Sequence, residues 1–272
     1  MYNNITLSFL GYSKNLEENH LHNEYEIIYV KKGQSLFGVN GRKIYLQAGD
    51  MIILSNLEKH SFAVRSSNYE RYMIKVKDIY ELKNLPPNIL TKVFQKRPID
   101  FPYKFTFNDI TKPHVEYIFD RMINESYLNY YFEEYLSILI SELMIFVYRS
   151  NLEYFNKKEE VLEATIIDIQ SYLNINYYED ITLDSIERKF YISKYAISRQ
   201  FKEVTGYNFK NYLILIRLSA AKNYLINTDL PIKTIADNVG YNSENVFIRT
   251  FKKYENMTPT TFRRKYCITT TP

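Results

Sequence analysis

Ser193-Lys-Tyr-Ala-Ile197-Ser-Arg199-Gln-Phe201-Lys202 returns fifty residues later as Ser243-Glu-Asn-Val-Phe247-Ile-Arg249-Thr-Phe251-Lys252. A repeated short helix, each copy opening on a small polar residue, means that one chain builds two equivalent surfaces. In the first copy Ser193 is placed to cap the helix, Ile197, Phe201 and Val204 form its apolar face, and Gly206 supplies a left-handed stop. In the second, Phe247, Phe251 and Tyr254 form that face, and Asn256 stands where the first copy has Gly206. Asparagine is the next best residue for a left-handed cap.

The pattern extends in both directions. A supporting helix precedes each copy: one begins at Thr182 and carries Leu183, Ile186 and Phe190, the other carries Ile232, Ile235, Ala236 and Val239 before the turn Gly240-Tyr241-Asn242. Phe209, Tyr212, Leu213, Ile216, Ala220 and Tyr224 mark a long helix joining the two units, and Leu162, Ile166, Ile169 and Leu173 a stripe ahead of them. Opposite the apolar faces lie Tyr195, Ser198, Arg199 and Lys202 in one copy and Asn245, Ile248, Arg249 and Lys252 in the other. Solvent exposure explains such a face on any single helix; its repetition favours a partner. A helix entering the major groove needs short polar or amide side chains near its N-terminal end for base edges, and basic ones further along for phosphates. The sequence therefore predicts two DNA-reading helices. Lys194, Tyr195, Ser198, Ser243, Glu244 and Asn245 are the expected base-facing residues, and Arg199, Lys202, Arg249 and Lys252 the expected phosphate contacts. For the two arginines, ion pairs with neighbouring helices are the competing reading.

From about Thr182 to Lys265 the chain resembles the AraC/XylS-type bacterial transcription regulators. The resemblance is carried by Arg199-Gln-Phe-Lys202, Gly206, Phe209, Tyr212, Arg217-Leu218, Ala221, Ile232, Ile235-Ala236, Val239-Gly240-Tyr241, Phe247, Arg249-Thr-Phe251-Lys252, Thr258-Pro259 and Phe262-Arg263. Three positions depart from the family pattern: Glu187 where alanine is usual, Tyr191 where the turn often has glycine, and Asn256 where glycine is usual. The resemblance implies a seven-helix domain with two helix-turn-helix units joined by the helix Phe209 to Leu225. It also implies a transcription activator whose two recognition helices enter successive major grooves, roughly 34 Å apart. Double-stranded DNA, a twin subunit and RNA polymerase are the partners so implied.

The N-terminal hundred residues read differently. Glu26 to Val30, Ser35 to Val39, Lys43 to Leu46, Met51 to Leu54, Ser61 to Arg65 and Tyr69 to Val76 alternate with turn signals. Asn40-Gly41 between two of them is a strong hairpin signal. A small antiparallel barrel or sandwich is expected. From Lys112 the period changes: Val115, Ile118, Phe119 and Met122 mark one helix, and Leu136, Leu139, Ile140, Leu143 and Phe146 a second. These helices are expected to close the barrel or to pair with a twin subunit. The polar run from Arg149 to Glu160 reads as a linker. The expected organisation is a multidomain α and β protein. Residues 1–150 form a cupin-like β-barrel with a helix pair, 151–162 a linker, and 163–272 an all-α domain with two helix-turn-helix motifs.

The family resemblance reaches this half through His20-Leu-His22-Asn-Glu-Tyr-Glu26, followed after six residues by Gly33, and through Gly49-Asp50 to His60, which look like the two segments of a cupin barrel in effector-sensing arms. His20, His22, Glu26 and His60 are accordingly the candidate residues for a small-molecule effector. Residues two and four apart on a strand share a side, so His20, His22 and Glu26 are expected to converge, with His60 as a fourth group of a type suited to Mn, Fe, Ni or Zn. Lining an effector pocket, holding the first strand and binding a metal are alternatives that the sequence leaves open; no metal or cofactor is assigned. Tyr25, Tyr29, Phe37, Tyr45 and Phe62 are available for a pocket wall or for the core.

A cupin metalloenzyme with a helical accessory domain is the competing class. It gives no reason for two copies of the Arg-x-Phe-Lys helix, and no P-loop, Ser/His/Asp set or glycine-rich nucleotide motif is evident. A non-enzymatic regulator is therefore expected. Charge agrees: residues 163–272 hold 15 Lys and Arg against 11 Asp and Glu, while residues 1–162 hold 20 of each, so the helical part carries the whole excess toward a polyanion. The single cysteine, Cys267, and an N-terminus without a charged-then-apolar leader suit a reducing cytoplasm. Leu136 to Tyr148, the longest apolar stretch, is about 13 residues, too short for a bilayer core of about 30 Å.

Overall fold

The computed structural model describes residues 5–11, 17–20, 22–39, 41–77, 102–125, 131–155 and 161–266, with positions 79, 82, 89, 93 and 94. Asn40, the polar segment 156–160 and Cys267 lie outside the described residues. The chain divides into two compact units, Met1–Lys158 and Glu159–Pro272.

The first unit is built from β1 (Ile5–Leu10), β2 (Glu17–His20), β3 (Tyr25–Lys32), β4 (Gln34–Val39), β5 (Arg42–Gln47), β6 (Asp50–Leu54), β7 (His60–Val64), β8 (Glu70–Val76) and β9 (Lys104–Thr106). They form two antiparallel sheets, β1-β8-β3-β6-β9 and β2-β7-β4-β5. Val39 and Arg42 pair across the expected hairpin, where Gly41 has a φ of +82°.

β3 and β6 are buried on both faces, so their alternation sorts side chains between two cores. Ile28, Val30, Ile52 and Leu54 meet Phe37, Val39, Leu46, Phe62 and Tyr69 in one core. Ile27, Tyr29, Met51 and Ile53 enter the other, with Val115, Ile118, Phe119 and Met122 of α1 (Lys112–Glu125) and Leu136, Leu139, Ile140 and Leu143 of α2 (Phe132–Ser150). Each fully buried Phe, Leu or Ile contributes about 1.5–3 kcal/mol. The helix pair thus covers one face of the five-stranded sheet. Tyr29 donates to Glu116 at 2.9 Å and Tyr72 to Asp120 at 2.6 Å, so the phenols that this packing buries keep hydrogen-bond partners on α1.

This partition sorts the aromatics that the sequence left open between pocket wall and core. Tyr25 and Tyr29 belong to the helix-side core, Phe37 and Phe62 to the core shared with the four-stranded sheet, and Tyr45 is 67% exposed. The polar run read as a linker also holds ordered structure. It contains α3 (Leu152–Phe155), whose Phe155 is buried and stacks on Tyr148 at 5.0 Å. Leu152 and Phe155, three apart, are the helical signal that the surrounding polar residues obscured.

The second unit contains α4 (Val161–Asn176), α5 (Leu183–Phe190), α6 (Lys194–Thr205), α7 (Phe209–Asn227), α8 (Ile232–Asn238), α9 (Glu244–Glu255) and α10 (Pro259–Tyr266). Thr182 and Ser185 cap α5 reciprocally, Ser193 accepts from the Ala196 amide at the start of α6, and Asn208 accepts from Asn211 at the start of α7. Gly206 and Asn256 end α6 and α9 with φ of +78° and +56°, the left-handed stops that the repeat predicts. Ser243 makes no side-chain capping bond, unlike its counterpart Ser193; the acidic Glu244 in the first turn of α9 favours the helix dipole there.

Candidate nucleic-acid interface and effector cluster

Each outward helix is held from behind by aromatics. On α6, Ile197 and Phe201 are fully buried, and Phe201 meets Phe209 and Tyr212 edge-on at 5.7 and 5.2 Å. On α9, Phe247 and Phe251 pack with Tyr241 and Phe262 among Leu218, Ala221, Ile235 and Val239. Tyr254 donates to Asn211 at 3.2 Å, and Lys222 pairs with Glu255 at 3.0 Å, tying α9 to α7.

The turn between α8 and α9 is fixed by close approach. Gly240 has a φ of +85°, and a Cβ there would lie 2.8 Å from the Tyr178 carbonyl and 2.9 Å from that of Tyr177. Arg217 Nε donates to the same Tyr177 carbonyl at 2.8 Å, and its Nη2 donates to the Glu179 carbonyl at 2.7 Å. Burial lowers the pKa of this arginine, and burial pushes the neighbouring Tyr241 phenol up to about 12. The first motif makes its turn differently. Tyr191 takes the left-handed position at φ +55°, and Glu187 accepts from the Lys194 amide at 3.0 Å. Both departures from the family pattern therefore have local roles: one holds the turn, the other satisfies an amide at the start of α6.

Of the predicted interface residues, Lys194, Tyr195, Ser198, Arg199 and Lys202 are exposed on α6, and Asn245, Arg249 and Lys252 on α9, with Ser243 exposed at its start and Glu244 half-buried. Tyr195 presents a ring that is 81% exposed. The Lys194 ammonium pairs with Asp184 of α5 at 3.2 Å, which draws it toward the supporting helix. Neither Arg199 nor Arg249 forms an ion pair with a described residue.

In the first unit His22, Glu26 and His60 converge, each offering a ligand atom within 4.8 Å of the others. They do so by another route than strand alternation. His20 ends β2, His22 lies in the connection that follows, and Glu26 is on β3, so the three do not share a strand. The turn carries His22 over Glu26, and β7 delivers His60; its backbone pairs with that of His20, whose side chain lies outside the described residues. His22 Nε2 is 3.2 Å from Glu26 Oε1, His60 Nε2 is 3.4 Å from Oε2, and the two rings meet edge-on. Lys75, opposite Glu26 on β8, places its ammonium 2.8 Å from Oε1.

Burial would raise the pKa of Glu26, but hydrogen bonds from His22 and His60 and the charge of Lys75 hold it well below the ordinary range. Burial opposes protonation of His60; the hydrogen bond and charge of Glu26 outweigh it and raise that pKa. The trio has the donor types of a divalent-metal site. Lys75, however, already sets a positive charge on the carboxylate oxygen nearest His22, and an added cation would have to displace it. Lys75 left no local sequence signal, because only the β3–β8 register joins it to Glu26.

A sheet unit and a helical unit bearing two helix-turn-helix motifs define a class: DNA-binding regulators with a ligand-binding arm. Residues 3–78 match the model of the AraC-like ligand binding domain and residues 186–265 that of a helix-turn-helix domain. The chain is 28% identical over 257 residues to the uncharacterized HTH-type transcriptional regulator YdiP of Escherichia coli (strain K12), covering 91% of this chain and 81% of that protein. It is 22% identical over 262 residues to the HTH-type transcriptional activator RhaR of Enterobacter sp. (strain 638), covering 93% and 89%. The fold matches a crystal structure of an apo ToxT variant from Vibrio cholerae with a TM-score of 0.61 at 13% identity, covering 97% of this chain and 98% of that one. The chain belongs to the AraC-type family of helix-turn-helix transcription regulators. No helix among the described residues is long and apolar enough to cross a membrane.

Proposed function

We propose that the protein activates transcription, with α6 and α9 of one subunit reading two successive major-groove segments and a small molecule bound in the N-terminal unit controlling that reading. The repeated outward face carries the proposal: two helices fifty residues apart in sequence present matching arginine and lysine positions, Arg199 with Lys202 and Arg249 with Lys252. Tyr195, Ser198, Ser243, Glu244 and Asn245 sit at or near the N-terminal ends, where a recognition helix meets base edges. Lys194 joins them by exchanging Asp184 for DNA. The name of RhaR supports the activator reading.

His22, Glu26 and His60, with the His20 position beside them, form the polar end of the proposed effector site. Glu26 shares the inter-sheet side of β3 with Ile28 and Val30, so a ligand there meets charge at one end and hydrocarbon beyond it. A structure of ToxT bound to an unsaturated fatty acid supports the capacity of this fold to hold a small organic ligand. The helix pair supplies the proposed homodimer contact. A groove of about 780 Å3 along α2, lined by Ile138, Glu142, Ile145, Phe146 and Arg149, and the 48% exposure of Ile138 support it. Work in the cytoplasm and contact with RNA polymerase complete the proposal.

Selection of purified protein against a library of duplexes at fixed, near-physiological salt tests the DNA half. Enrichment of a bipartite motif with its halves about 10 base pairs apart is expected. A single compact motif would remove one of the two helices from the reading.

A further inference from the structure

Val246, in the first turn of α9, is 42% exposed. A β-branched side chain lowers helix propensity, and at an exposed position packing returns little of that cost. Phe247 and Phe251 form the buried side of α9. Val246 lies about 100° around the helix from Phe247, on the outward side with Asn245, Arg249 and Lys253, all exposed. The same place in α6 is held by Ala196, also apolar but half-buried. Both copies therefore set hydrocarbon next to their leading polar residue, Tyr195 or Asn245, and the second sets more of it.

Among base edges in the major groove, hydrocarbon is offered by the C5 methyl of thymine, and the bidentate match of an asparagine amide is adenine N6 and N7. We infer that Val246 is a specificity residue that packs on a thymine methyl beside an adenine read by Asn245. The half-site under α9 then contains neighbouring A·T pairs and depends on one methyl group, while the half under α6, facing Ala196, depends less on any. This inference rests on the reading of α9 as a recognition helix.

The test uses the full chain and the duplex enriched by selection. Each thymine is replaced singly by deoxyuridine, which removes the methyl and keeps the hydrogen-bonding edge. The α9 half is the one where Asn245→Ala relaxes base preference. There, one deoxyuridine is expected to weaken wild-type binding about fourfold, the equivalent of about 0.8 kcal/mol for one buried methyl. Val246→Ala should reduce that penalty below about twofold and bind the deoxyuridine duplex within about twofold of wild type. Because Val246 is exposed and outside the buried face of α9, the variant should keep its circular dichroism. Selective binding with no methyl-sensitive thymine in the α9 half, or a penalty that survives Val246→Ala, overturns the inference alone. Failure to select any duplex overturns the recognition-helix reading and the inference with it.

Discussion

Replacing Gly240 by alanine tests how the second motif is held. The backbone there has a φ of +85°, and alanine in the left-handed region costs about 1–2 kcal/mol. The added Cβ would also lie 2.8 Å from one carbonyl, 2.9 Å from a second and 3.0 Å from the Arg217 guanidinium. The Tyr177 carbonyl and the guanidinium cannot retreat freely, since Arg217 is bonded to the Tyr177 and Glu179 carbonyls at 2.8 and 2.7 Å. Overpacking of this kind costs a further ~1–3 kcal/mol, so Gly240→Ala should lose about 2–5 kcal/mol. Gly206 is the internal control. Its φ is +78°, but nothing lies within 4 Å of an added Cβ, so Gly206→Ala should lose only the conformational part, about 1–2 kcal/mol. Hydrogen exchange of the α7 to α9 amides, followed against urea in the full chain, reads both variants. Equal losses, to within about 0.5 kcal/mol, would refute the close approach as the reason for glycine at Gly240.

Asn245→Ala should weaken binding to the selected duplex by about 1–3 kcal/mol and leave nonspecific binding nearly unchanged; equal loss on both DNAs removes it from base reading. Lys202→Ala should weaken both similarly and lower the salt slope of log K by about one; an unchanged slope removes it from the phosphate contacts. The cluster of His22, Glu26 and His60 makes the N-terminal unit sensitive to pH in a defined sense. Glu26, held below its ordinary 4.5, contributes stability above that value and loses it as pH falls through the lowered pKa. His60, raised above 6.5, contributes fully below 6.5 and less as pH climbs through the raised pKa. The pair's contribution is therefore greatest between about pH 4.5 and 6.5, and the melting temperature of the N-terminal unit should fall as pH rises above 6.5 in wild type but much less in His60→Gln. Equal slopes in the two proteins would contradict the assignment.

What the sequence revealed follows from how far each determinant reaches along the chain. The helical unit was legible because its signals are local: Phe201 and Phe251 repeat at fixed spacing, Gly206 and Asn256 stop their helices, and Thr182 starts one. The hairpin at Gly41 was legible for the same reason. β9, three residues long, is too short to show a period, and α3 hid in a polar run. The cluster of His22, Glu26 and His60 was named, but by the wrong route. His22 reaches Glu26 through a turn, and Lys75 arrives through strand register, neither of which a two-residue alternation reveals. The amide bond of Glu187 and the carbonyl clamp of Arg217 are likewise tertiary, so the one read only as a departure and the other only as a family residue.

The central claim is that one subunit reads two grooves on one face of the duplex. Inserting five base pairs between the halves of the selected motif turns one half to the opposite face without changing either sequence. The account predicts that affinity for this duplex falls to that of a duplex carrying a single half, because α6 and α9 belong to one compact helical unit. Affinity unchanged by the insertion would contradict it.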